Sequence, residues 1–114
     1  MFAEVKAMLP VSGDDYDAEI IMQIKAAALD LTRTSEIILP GAISIERTQD
    51  AQTGVWTISD NSTVTDDLVI TAIATWCRMR IGNPPDYDHL LAAYESMKGS
   101  MRLSSSYNQE ATTA

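Results

Sequence analysis

Few residues in this 114-residue chain could do chemistry, and they are scattered. Asp86, Asp88 and His89 are the one mixed carboxylate and imidazole grouping, which could hold a metal or pass a proton. All three fall in the first turn of a predicted helix, where acids are favoured anyway, and no partner ligand can be identified elsewhere. His89 is the only histidine, so the usual nucleophile and base arrangements have little to draw on, and no Gly-x-Ser-x-Gly elbow accompanies it. Asp14, Asp15, Asp17 and Glu19 could suggest a calcium loop, but a loop begun at Asp15 puts Ile20 where the turn glycine belongs and Ala26 where the bidentate glutamate belongs. They read instead as acids complementing a helix start. The glycines (Gly13, Gly41, Gly54, Gly82, Gly99) stand singly and cannot build a phosphate-cradling loop. Catalytic, cofactor-binding and metal-binding residues are all expected to be none.

The remaining candidates concern surfaces. Cys77, alone in the chain, can form neither an internal disulfide nor a thiolate metal cluster, and it reads as a small apolar filler. Met8, Met22, Met79, Met97 and Met101 could form an adaptable contact surface. Core packing is the commoner use of any one of them, with Met97 and Met101, next to a polar tail, the best interface candidates. Arg78, Arg80, Lys98 and Arg102 are the only basic grouping, and they sit in the last turns of two predicted helices, where cations suit the helix dipole.

Sixteen acidic against eight basic residues give a net charge of -8, which argues against a protein that wraps a nucleic acid backbone. Eight of the acids (Asp14, Asp15, Asp17, Glu19, Asp66, Asp67, Asp86, Asp88) stand at three predicted helix starts, so helix termini account for most of the excess. Glu4 and Lys6 interrupt any secretory signal, which leads us to expect a chain kept inside the cell, and no apolar run is long enough for a membrane span. Hydrophobic residues at 46% and charged residues at 21% are ordinary for one globular domain.

The elements follow from periodicity. Phe2, Val5, Met8 and Leu9 predict a short helix stopped by Pro10. Asp14 or Asp15 is expected to cap a long helix to about Thr34, with Ile20, Ile24, Ala27 and Leu31 on its inner face. Pro40-Gly41 marks a turn. Alternation around Ile43 and Ile45, then around Trp56 and Ile58, predicts an inserted β-hairpin over about residues 43–58. Two strands alone are marginal in water, so the hairpin must lie on the helices or pair with another copy. Thr63 with Asp66 resembles a capping box opening a third helix to about Ile81, striped by Val69, Ile73, Trp76 and Met79 or Arg80. Gly82-Asn83-Pro84-Pro85 ends it. Asp86 opens a fourth helix with Leu90, Leu91, Tyr94, Met97 and Met101 on its apolar side. The fold class is mainly α, a small bundle of about four helices with an inserted hairpin. Residues 1–103 form a single domain, and 104–114 a polar tail that is expected to be flexible until bound.

The segment Asp60-Asn61-Ser62-Thr63-Val64-Thr65-Asp66-Asp67-Leu68-Val69, then Gly82-Asn83-Pro84-Pro85-Asp86-Tyr87-Asp88-His89-Leu90 and Ala93-Tyr94-Glu95-Ser96-Met97-Lys98, resembles the C-terminal half of tailed-bacteriophage head-tail connector proteins, the DNA-packaging adaptors. Val5-Lys6-Ala7-Met8-Leu9, followed by Gly13-Asp14-Asp15-Tyr16-Asp17 and a long helix, is similar to the start of the same family. The hairpin with Trp56 is a departure from compact members. The resemblance implies a structural subunit of a homo-oligomeric ring of about a dozen copies. That ring would bridge the portal protein to stopper or tail-completion proteins in the virion neck and be assembled in the host cytoplasm. It would continue a channel through which double-stranded DNA passes without sequence-specific binding. Trp56 and Ile58 on the hairpin, and Met97, Met101, Leu103 and Tyr107 towards the C-terminus, are the expected interface residues. The alternative readings are a small intracellular helical adaptor unrelated to virions and an enzyme built on Asp86, Asp88 and His89.

Overall fold

The computed structural model describes residues 1–81 and 84–104. Its elements in chain order are α1 (Phe2–Ala7), α2 (Asp17–Leu29), β1 (Ile45–Gln49), β2 (Trp56–Asp60), α3 (Asp67–Arg80) and α4 (Tyr87–Leu103), a mainly helical fold carrying one hairpin. Helix α3 is the element the others pack around, touching α1, α2 and α4. Its sequence is apolar on most sides, and residues from Val69 to Met79 are buried on nearly every face, as a central helix requires. Ile20, Ile24, Ala27 and Leu31 all lie in the core, with Val5, Ile73, Cys77, Tyr94 and Met101. The inner face of α2 is therefore the predicted one.

Helix α2 starts later than its acids suggest. Neither Asp14 nor Asp15 caps it; the first residue is Asp17, and Tyr16 precedes it without a side-chain cap. Asp17 is buried and accepts a 2.7 Å hydrogen bond from Lys6 of α1, so this carboxylate ties two helices together. Regular α-helix stops at Leu29, and a wider π-type turn, Asp30–Thr34, completes the helical run to the predicted end. Beyond it Glu36 takes a left-handed conformation at φ 56°, a position more often given to glycine, and the Ile37 amide donates back to the Leu31 carbonyl.

The hairpin is antiparallel, with Ile45 opposite Asp60, Arg47 opposite Ile58 and Gln49 opposite Trp56. The first strand thus begins, and the second ends, two residues later than predicted. Ahead of them pairing continues in a mixed form: Asn61 and Thr63 amides donate to the Ser44 and Ala42 carbonyls, while Ala42 and Ser44 amides donate to the Thr63 and Ser62 hydroxyls. Side-chain oxygens do there what carbonyls do in a strand. The same segment needs Gly41, whose φ is 151° and whose missing Cβ would lie 2.9 Å from the Val64 amide nitrogen.

This ladder corrects the capping box. Thr63 is committed to Ala42, and Asp66 alone caps α3, accepting from the Leu68 and Val69 amides at 2.9 and 3.1 Å. At the other end Ile81 is extended and donates to the Cys77 carbonyl; the predicted Gly82-Asn83 cap lies outside the described residues. Helix α1 stops at Ala7, slightly short of prediction, although Leu9 is still buried.

Candidate interaction surface

The residues with chemical potential are dispersed or paired. Among the described residues no group of three or more His, Cys, Asp and Glu side chains could hold a metal. Asp86 precedes α4, its carboxylate 3.9 Å from the Arg78 guanidinium. Cys77 is fully buried, and burial pushes its thiol up to about 12, which keeps it protonated and unreactive at neutral pH.

The basic grouping does not form a patch. Arg80 stacks over the Trp76 ring at 3.9 Å, Arg102 donates from Nε to the Ser35 carbonyl, and Lys98 is only 7% exposed. The helix-dipole reading of Lys98 therefore gives way to a specific contact. Its ammonium donates to Asp30 at 3.2 Å and pairs with Glu95 at 3.1 Å, and the Tyr94 hydroxyl donates to the same Asp30 oxygen at 2.5 Å. Burial, then Asp30, raises the Tyr94 phenol well above its ordinary value. This Asp30, Tyr94 and Lys98 cluster locks α4 onto the π-type turn after α2, and Asp30 carried no sequence signal beyond standing next to the apolar stripe. A second lock joins the hairpin to α1. The Phe2 amide donates to Asp60 at 2.7 Å; burial opposes ionisation of Asp60, but that amide and Ser62 hold its carboxyl far below the usual range.

Besides Met8, Tyr16 and Ile38, large apolar side chains are left in water on the hairpin, on α2 and on α4. On the hairpin, Val55 and Trp56 are exposed, Trp56 by 49%, with the Arg47 guanidinium 3.8 Å over its ring. Ile58 is half-buried on the same face, while Ile45 at the hairpin base is in the core. Val55, Trp56, Ile58 and Arg47 form, with Asp14 and Asp17, a shallow groove of about 330 Å³. On α2, Met22 and Leu29 are exposed on the side away from the core, and on α4 Tyr87 and Leu91 are exposed.

The other expected interface residues lie apart. Met97 is half-buried against the core and Leu103 is 91% exposed. Met101 is fully buried, seven residues from Tyr94 on the inward side of α4, so its side chain is offered to no partner in this conformation. Tyr107 lies outside the described residues.

This arrangement has polar locks between its elements and exposed apolar surface, and no assembled group of reacting side chains among the described residues. No curated protein and no solved structure matches the chain. A family model described as phage connector protein matches residues 1–108. The chain belongs to the phage connector protein family, structural components of the virion that interact with other phage head and tail proteins.

Proposed function

We propose that this chain is one subunit of a homo-oligomeric ring, of about a dozen copies, that joins the portal vertex of the phage head to the stopper or tail-completion proteins and continues the DNA channel. The observation that carries this reading is the hairpin. Its base enters the core through Ile45 and Ile58 packs against the core, while Val55 and Trp56 stay in water. Two strands that pair with no third strand among the described residues, and an exposed tryptophan, are an unfinished element, and a neighbouring subunit would finish it.

In this reading Trp56 and Ile58 belong to the subunit contact. Residues 1–103 make the connector domain, and residues 104–114, with Met97 and Leu103 leading to them, dock on the portal. The chain's net charge of -8 suits a channel through which DNA slides without sticking. The chain performs no turnover.

Electron microscopy of the purified chain mixed with portal tests the reading. Rings of the chain stacked coaxially on the portal are expected. Portal particles that stay bare at saturating chain would overturn it. Removing residues 104–114 is expected to leave the thermal transition intact and abolish capture by portal; equal capture of both forms would show that the tail does not dock.

A further inference from the structure

Two exposed features of the chain complement one another. The groove of about 330 Å³ has apolar walls at Val55, Trp56 and Ile58, carboxylates at Asp14 and Asp17, and the Arg47 guanidinium lying over the Trp56 ring. Asp17 is answered by Lys6 at 2.7 Å, but Asp14 is almost fully exposed and reaches the same ammonium only at 3.9 Å. Asp15 next to it, and Glu46 and Asp50 on the hairpin, are also exposed. The neighbourhood is thus apolar with an excess of acids, Arg47 at its wall and Lys6 beside its carboxylates being the cations.

The outer stripe of α2 has the opposite character. Met22, Lys25 and Leu29 follow at steps of three and four and share one face, and Arg33 continues it into the π-type turn. Met22 is 64% exposed and Leu29 is exposed as well. Lys25 and Arg33 have no ion-pair partner among the described residues, and from Met22 to Arg33 the stripe carries no acid, the exposed Glu19 standing one turn before it. Met22 and Leu29 stand about 10 Å apart along the helix, with Lys25 between them. An aliphatic side chain flanked by a lysine is what a groove with a tryptophan wall and an exposed, loosely paired carboxylate would hold.

We propose that the groove receives the outer stripe of α2 from a second copy of this chain, Met22 and Leu29 packing against Trp56 and Val55 and Lys25 facing Asp14. The two faces differ, so the contact is head-to-tail and repeats around a closed ring instead of ending at a dimer. The inference rests on the ring reading and names the surface that meets the hairpin. Pairing of two hairpins edge to edge is the competing arrangement.

Cysteine cross-linking on portal decides between them. Cys77 is fully buried and leaves little background, and Met22→Cys and Val55→Cys change exposed positions without touching the core. Each single variant, and an equal mixture of the two, is assembled on portal and treated with a short bismaleimide. The expected result is a cross-linked dimer from the mixture and loss of that band when either variant is used alone. Lys25→Glu should diminish ring assembly, and Asp14→Lys in the same chain should restore it. A dimer from Val55→Cys alone would overturn the proposal in favour of hairpin pairing. Rings that form normally without any cross-link in the mixture would also overturn it while leaving the ring reading in place. Bare portal with the wild-type chain would remove both.

Discussion

Tyr94→Phe removes one oxygen from the lock between α4 and α2 and leaves the ring where it is, 5.4 Å from Trp76 and under the Lys98 ammonium at 5.0 Å. What is lost is a 2.5 Å hydrogen bond from the hydroxyl to the Asp30 carboxylate. A bond to a charged acceptor contributes about 1.5–3 kcal/mol. The lower part of that range applies here, because Lys98 stays at 3.2 Å from the same oxygen and the Asp30 side chain is still 17% exposed, so water can replace part of the contact. The expected cost is therefore about 1.5–2 kcal/mol, or roughly 6 to 12 °C in Tm for a domain of this size. Urea unfolding of both proteins at pH 7 measures it, with unchanged m values as the check that only stability moved. The variant should also have a gentler alkaline limb. The folded state holds the phenol protonated above its ordinary value of 10.0, so its contribution is complete below about pH 10 and is lost as pH rises further, when the unfolded chain ionises. A variant within about 0.5 kcal/mol of wild type, with the same alkaline limb, would refute the assignment of this cluster as the lock on α4.

Other substitutions test the remaining joints. Gly41→Ala should destabilise by at least about 1 kcal/mol, since its backbone angle and the nearby Val64 amide both exclude a Cβ; a neutral result by urea titration would contradict the close approach. Asp66→Ala should cost about 1 kcal/mol, while Thr63→Ala should leave α3 intact and loosen the hairpin base, which hydrogen exchange of the Ala42 amide reports. The Cys77 thiol should react with a thiol reagent only as fast as the chain unfolds. Because burial raises it from 9.0 to about 12, Cys77→Ala should lose less stability than wild type between those pH values.

The helical part of this fold was legible because its apolar residues recur at helical steps. Ile20, Ile24, Ala27 and Leu31 mark a face whatever the partner, and burial follows from that alone. Met101 was legible by the same rule, since it continues the turn-by-turn line of Leu90 and Tyr94; its nearness to the polar tail suggested surface, but helix phase decides burial. Polar residues at the edge of a stripe are different. Asp30 meets Tyr94 and Lys98 across 64 and 68 residues of sequence, and periodicity shows where a side chain points without showing what it meets. Thr63 illustrates the converse, because its pattern with Asp66 is locally a good cap and loses to a donor 21 residues away. Asp17 keeps its place at the helix start, but its carboxylate also meets Lys6, which no local pattern shows. Among the surface candidates, Trp56 could be placed on a hairpin face by alternation, but its exposure depends on how little of that hairpin the core can hold. Leu29 gave no warning, being one of many leucine-like positions until its side of α2 was known.

The central claim is that this chain occupies the junction between head and tail. A cryo-EM reconstruction of the mature particle's neck tests it most directly. The account predicts a ring of this chain, recognisable by its four helices and hairpin, seated on the portal with the hairpin of each copy against α2 of the next. Finding the chain in the capsid shell or the tail tube, with other proteins filling the space below the portal, would contradict it.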